Sequence, residues 1–134
     1  RIVGGDGGDA LFGNGGNDIF EVEGDDGEGD TFNGGTGDDV VRNTRRGKDF
    51  DLTGAQFDSI EEIDGNGADI RVGKNGTLDL SSVATLTNVD EIEGSSGNET
   101  ITGSQDDDVI DGDGGFDTVI VNGEVADFDI EILS

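Results

Sequence analysis

The chain has 134 residues and a formal net charge of -26, from 33 acids against 7 bases, and only 30% of it is AVILMFWYC, with no Trp, Tyr or Met. That length makes one domain and hardly two; the charge excludes a phosphate-binding face for nucleic acid and predicts a chain that stays largely unfolded until something cationic neutralises it. Cys and His are both absent, which excludes disulfides, thiolate sites and imidazole-ligated metals and leaves oxygen ligands, suited to hard cations such as calcium or magnesium.

Cut every nine residues from Gly4, the sequence reads GGDGGDALF and GNGGNDIFE, is interrupted by VEG at 22–24, and resumes as DDGEGDTFN and GGTGDDVVR. Residues 4–42 thus form a first run of repeats. The stretch 43–93 loses this beat. Within it DSIEEIDG at 58–65 aligns without gaps to TNVDEIEG at 87–94, matching Ile60 with Val89, Ile63 with Ile92, and Glu61 and Glu62 with Asp90 and Glu91. Both are predicted strands of wider, irregular coils, with longer excursions such as VGKNGTLDLSSVATL between them. The beat returns at 94–120 as GSSGNETIT, GSQDDDVID and GDGGFDTVI, and 121–134, VNGEVADFDIEILS, reads as the start of a C-terminal cap. No proline or Ser/Gly linker marks a boundary, so 1–134 is expected to be a single repeat domain. No signal peptide and no apolar stretch of membrane-spanning length is present. The first residue is Arg1 rather than Met, so the chain is expected to be a piece of a longer protein whose targeting signals lie elsewhere.

Two columns of the repeat are nearly fixed. The sixth position is Asp9, Asp18, Asp30, Asp39, Glu99, Asp108 and Asp117; the eighth is Leu11, Phe20, Phe32, Val41, Ile101, Ile110 and Val119. Glycine holds mainly positions one and four, where a tight turn requires φ > 0 or close backbone approach. Position nine is often polar, as in Glu21, Asn33, Arg42, Thr102 and Asp111. The pattern predicts a turn of about six residues, then a three-residue strand whose eighth position faces inward. Two turns and two strands close one coil, and coils stack as parallel strands roughly 4.8 Å apart.

Stacking superposes the sixth-position acids, Asp9 over Asp30, Asp18 over Asp39 and Glu99 over Asp117. Two carboxylates about 5 Å apart repel by roughly 3 kcal/mol at an effective dielectric near 20. A divalent cation between them reverses the sign. Glycine-rich turns offer carbonyl oxygens to complete the shell, and calcium tolerates that irregular geometry better than magnesium. Metal binding is then part of folding.

GGDGGDALF, GGTGDDVVR and GDGGFDTVI resemble the nonapeptide GGxGxDxUx of the RTX (hemolysin-type) calcium-binding repeat proteins. The resemblance implies an all-β, right-handed parallel β-roll or β-helix with several calcium ions bound between turns. It also implies export by a type I secretion apparatus from a bacterial cell, unfolded in the calcium-poor cytosol and folding outside, secreted or at the cell surface. Carried over by position, it makes Asp9, Asp18, Asp30, Asp39, Glu99, Asp108 and Asp117 the side-chain ligands. The carbonyl ligands come from Gly4, Asp6, Gly13, Gly15, Gly34, Thr36, Gly103, Gln105, Gly112 and Gly114. Three departures stand out: Asp25 replaces a glycine, Glu99 replaces an aspartate, and the VEG insertion makes Asp18 with Asp39 the better-registered pair compared with Asp9 and Asp30.

Other motifs fail. DGDGGFDTVIVN at 111–122 puts Phe116 where an EF-hand needs glycine and Asn122 where it needs the bidentate Glu. GNGG and GKN lack the helix and GK[ST] of a phosphate loop. VRNTRRGK gathers Arg42, Arg45, Arg46 and Lys48. These either balance local charge where the coil widens or form a contact for an acidic polysaccharide, which would make the chain a glycan-binding or adhesive module similar to the repeat modules of alginate epimerases. Without His or Cys, and with no aromatic platform for sugars, the chain is not expected to be an enzyme; catalysis in the parent protein is expected to lie outside it. The expected function is a calcium-binding repeat module that folds after secretion and stabilises a larger secreted protein.

Overall fold

A computed structural model describes residues 1–48 and 50–121, so the predicted cap at 121–134 lies outside the described residues apart from Val121. The described residues contain fifteen short strands and no helix. In chain order these are β1 (Ile2–Val3), β2 (Ala10–Phe12), β3 (Ile19–Val22), β4 (Thr31–Asn33), β5 (Val40–Asn43), β6 (Phe50–Asp51), β7 (Gln56–Asp58) and β8 (Glu62–Asp64). Then come β9 (Ile70–Arg71), β10 (Thr77–Asp79), β11 (Thr85–Thr87), β12 (Ile92–Ser95), β13 (Thr100–Thr102), β14 (Ile110–Asp113) and β15 (Thr118–Ile120). Every ladder is parallel. The chain is a β-solenoid of about 6 turns.

The strands line three faces. The first carries β1-β3-β5-β8-β11, and the second carries β2-β4-β7 followed by β10-β13-β15, with β10 packed beside β7. The third, β6-β9-β12-β14, begins only where the repeat ends. At both ends a coil has two strands and spans 18 residues, as in Ile2↔Phe20 and Ile101↔Val119. In the middle a third strand enters each coil, and partners lie farther apart, as in Val41↔Ile63 and Ile70↔Ile92.

The aligned segments 58–65 and 87–94 do contribute strands, but on different faces. Ile63 in β8 pairs with Leu86, whereas Ile92 in β12 pairs with Ile70 and Ile110. Their sequence offset is therefore one wide coil plus one face, not one coil.

Each strand is too short to bury anything alone. Its one or two inward side chains are covered by the same positions in the coils above and below, which is how solenoid stability arises. In β4 the burial alternates, with Phe32 fully buried between half-buried Thr31 and Asn33. Its ring packs edge-on to Phe20 at 5.8 Å and lies stacked at 5.5 Å on Phe57, its register partner in β7. Such a buried ring contributes about 1.5–3 kcal/mol by transfer from water. Of the eighth-position residues, Phe20, Phe32, Val41 and Ile101 are fully buried, Leu11 and Ile110 pack partly buried against the core, and Val119 in β15 is 43% exposed.

Candidate metal centre

The turns that connect the faces carry the candidate ligands. In turns 13–18 and 34–39 the second and fourth residues are left-handed: Asn14 has φ 71°, Gly16 99°, Gly35 95° and Gly37 138°. Asn and Gly are the residue types that adopt this region at least cost. The alternation turns successive peptide groups toward the neighbouring coil. Thr36 N–H donates to Asn14 O at 3.1 Å, and Gly16 N–H donates to Thr36 O at 2.8 Å. The Thr36 carbonyl, an expected ligand, is thus engaged by the coil before it.

The expected acid pairs superpose. The backbone N–H of Asp9 donates to Asp30 Oδ1 at 2.7 Å, that of Asp18 to Asp39 Oδ1 at 2.7 Å, and that of Glu99 to Asp117 Oδ1 at 2.9 Å. The VEG insertion leaves the first pair as well registered as the second. It is absorbed by turn 23–30, which bonds to itself through Asp26 N–H to Glu23 O and Asp30 N–H to Gly27 O, each at 3.3 Å. Burial holds Asp30 above the ordinary carboxylate range in spite of the Asp9 N–H.

The second oxygen of each carboxylate decides the chemistry. Asp18 Oδ2 and Asp39 Oδ2 are buried and have no hydrogen-bond partner. Each points at the position-one glycine of its own turn. A Cβ on Gly13 would lie 2.6 Å from Gly34 O and 2.7 Å from Asp18 Oδ2, while one on Gly34 would collide with Ser59 O and Asp39 Oδ2. Position one is therefore glycine because a carboxylate and a carbonyl from the following coil converge on it, not because of its φ. The same carboxylate contact recurs at Gly4 with Asp9, Gly103 with Asp108 and Gly112 with Asp117.

Two turns are built differently. Ser104 donates from N–H and hydroxyl to Asp108 Oδ2 and Oδ1, both at 2.8 Å. Ser95 does the same for Glu99 at 2.9 and 3.0 Å, and Asn75 N–H adds a third bond at 2.8 Å. The extra methylene of Glu99 lets it span both turns. Burial pushes Glu99 upward, but these donors outweigh it and hold the group below its ordinary value. At Asp108 burial prevails over Ser104, and the group is raised.

Sequence reasoning missed Glu61. Its Oε2 accepts the N–H of Asp39 at 2.8 Å, continuing the Asp18–Asp39 column into the wide coils. The signal was available: Glu61 stands two residues before inward Ile63, as Asp39 stands two before Val41.

The RTX calcium-binding nonapeptide repeat family matches residues 1–28, 25–42 and 87–119, in 4 copies, covering more than half of the chain. The chain belongs to that family. It is a calcium-binding repeat module, a structural rather than catalytic unit, and its fold is the solenoid described above. No curated protein and no solved structure matches it.

The donor set fits the ion. Among the described residues no group of three or more Asp or Glu side chains is arranged to hold a metal, so a calcium shell built from them would need carbonyl oxygens beside one or two carboxylates. The orphaned oxygens of Asp18 and Asp39, each with a carbonyl converging on the same glycine, supply that combination.

The basic cluster is partly spent on the solenoid itself. Arg42 in β5 donates to Asp64 Oδ2 at 3.0 Å, its register partner in β8, and Arg45 donates to Glu23 Oε1 at 2.8 Å. Arg46 and Lys48 are exposed on turn 44–48. Asp64 lies below the ordinary carboxylate range: burial raises it, and Asn88, Asn66 and Arg42 together outweigh that.

Proposed function

We propose that the turn carboxylates hold calcium between coils, that this ion drives folding, and that the folded module stabilises a larger protein exported unfolded through a type I apparatus. The observation that carries the reading is the pair of buried, unpartnered oxygens, Asp18 Oδ2 and Asp39 Oδ2, in a chain of net charge -26. Leaving a buried acceptor unsatisfied costs about 1–3 kcal/mol, and more when it is charged. In each cradle a carbonyl oxygen faces the carboxylate as well, so both oxygens await a cation.

Asp18 and Asp39 are the strongest of the seven candidate ligands. Asp9, Asp30 and Asp117 share their coil-to-coil geometry, whereas Glu99 and Asp108 already receive serine donors that an ion would have to displace. A chain whose coils repel until calcium arrives stays extended where calcium is scarce and folds where it is plentiful, which suits passage through an export channel. The rival reading, a polysaccharide contact at Arg42, Arg45, Arg46 and Lys48, gains no support from geometry that commits Arg42 and Arg45 to neighbouring acids.

Isothermal titration calorimetry tests the proposal. Calcium should bind with the large heat of coupled folding, and magnesium should not reproduce it. Absence of calcium binding, or equal heats from the two ions, would overturn it.

A further inference from the structure

We propose that Asn14–Gly15, in the turn that leads to Asp18, is a site of spontaneous deamidation and isoaspartate formation, and that the fold shields the other described Asn–Gly pairs. These are Asn33–Gly34, Asn66–Gly67 and Asn75–Gly76. A glycine after asparagine leaves the peptide nitrogen unshielded by a Cβ. The Gly15 nitrogen attacks Cγ of Asn14 and gives up its proton. The N–Cγ bond forms as the Cγ–Nδ2 bond breaks, and the proton leaves with Nδ2 as ammonia. Water then opens the resulting imide at either carbonyl. One cut leaves aspartate in an unchanged chain; the other leaves isoaspartate, with the backbone running through Cγ.

The attack needs a free nitrogen, a mobile amide and access to water, and the fold withholds these from three of the four pairs. Gly34 is buried, its N–H donates to Asp58 O at 3.0 Å, and Asn33 Nδ2 donates to Asp58 Oδ2 at 2.8 Å. Gly67 N–H donates to Asn88 O at 2.9 Å, and Asn66 Nδ2 donates to Asn43 O at 3.2 Å. Gly76 N–H donates to Gly73 O at 2.8 Å, and Asn75 Oδ1 accepts the Asn98 N–H at 2.9 Å. Asn14 differs. Its side chain makes no hydrogen bond to the described residues, and both Asn14 and Gly15 are exposed. The Gly15 N–H reaches only Gly13 O, at 3.1 Å, across Asn14 with φ 71°. That left-handed three-residue closure is the rare and strained form of the γ-turn, so the nitrogen is easily released. The following coil has Gly35 in the place of Asn14, with no amide to lose. Isoaspartate at 14 lengthens the turn by one methylene and converts the carbonyl that takes the Thr36 N–H at 3.1 Å into a free carboxylate.

Ageing the whole chain in mildly alkaline buffer tests the site, with one sample folded in calcium, as shown by circular dichroism, and one in urea. Peptide mass mapping reads each asparagine, because replacing Nδ2 by oxygen changes the mass whereas isomerisation of an Asp–Gly pair does not. Asn122–Gly123, outside the described residues, is read separately. In the folded chain Asn14 should convert at least about tenfold faster than Asn33, Asn66 or Asn75, since a bond whose opening costs about 1.4 kcal/mol slows the attack by that factor. In urea the four rates should converge, and Gly15→Ala should slow Asn14 alone. An Asn14 no faster than the other three in the folded chain, or an order that persists unchanged in urea, overturns the site. The inference needs a folded chain rather than calcium: if calcium is inert, the comparison is made in sodium sulfate, which favours burial, and a chain that folds in neither overturns it.

Discussion

Asp39 Oδ1 accepts the backbone N–H of Asp18 at 2.7 Å, while Oδ2 of the same carboxylate is buried without a partner. One side chain thus ties two coils together and at the same time makes the calcium-free stack electrostatically unsound. In the function proposed above, a cation is the partner that Oδ2 lacks.

The two oxygens are separable by substitution. Asp39→Asn retains an acceptor for the Asp18 N–H; Asp39→Ala leaves that donor unsatisfied. In saturating calcium, Asp39→Ala should be less stable than Asp39→Asn by about 1–3 kcal/mol in urea unfolding. Equal stability would mean that the Oδ1 bond contributes nothing.

Gly13 and Gly5 are both glycines of turns, for different reasons. Gly13 faces Gly34 O and Asp18 Oδ2, whereas Gly5 has φ 88° and no atom near its absent Cβ. Gly13→Ala should cost about 1–3 kcal/mol by overpacking and shift the calcium midpoint upward, because the methyl crowds Gly34 O and Asp18 Oδ2, the oxygens proposed to hold the ion. Gly5→Ala should cost about 1–2 kcal/mol of backbone strain with a smaller midpoint shift. Calorimetry of both variants checks this, and identical midpoints would contradict the assignment.

Phe32 is stacked on Phe57 and edge-on to Phe20, at the crossing of two faces. Phe32→Ala should destabilise the calcium-loaded protein by about 3–5 kcal/mol, measured as a lowered urea midpoint. A loss below about 1 kcal/mol would mean that the interior at this coil is not close-packed.

Acid should fold the calcium-free chain. Burial and then Asp6 raise Asp26, Asp51 and then burial raise Glu28, burial raises Asp30, and burial with Asp69 and Asp111 raises Glu91. Groups that hold protons more tightly when folded make folding more favourable as pH falls into the carboxylate range. Asp64 and Glu99, both lowered, act in the opposite sense, but their contribution is lost only as pH falls through their lowered values. Circular dichroism in chelator should therefore show more β signal near pH ~4.5 than at neutral pH. With calcium present the trend should reverse, since protons compete for the ligands. Loss of β signal on acidification in chelator would contradict the assignment of these groups.

The repeat announced its own strands because each unit fixes an acid and an inward apolar residue two positions apart, and Asp18 with Phe20 or Asp39 with Val41 could be placed without coordinates. The third face could not. β6 and β9 are two-residue strands with one inward side chain each, Phe50 and Ile70, too little to form a period. Similarity between 58–65 and 87–94 marked both as strands of wide coils but not their faces, because the local pattern of a strand does not encode which neighbour it meets. The carbonyl of Ser59 was invisible for a simpler reason: backbone ligands carry no side-chain signature. The serines that hold Glu99 and Asp108 were legible only as a substitution at position two, and their effect depends on rotamers that no spacing reveals.

The most direct measurement is far-ultraviolet circular dichroism of the chain across a calcium titration, with magnesium in parallel. Folding by calcium predicts a weak β signal in chelator that rises cooperatively with calcium and stays low with magnesium. A full β signal in chelator at neutral pH, or an equal rise with magnesium, would contradict it.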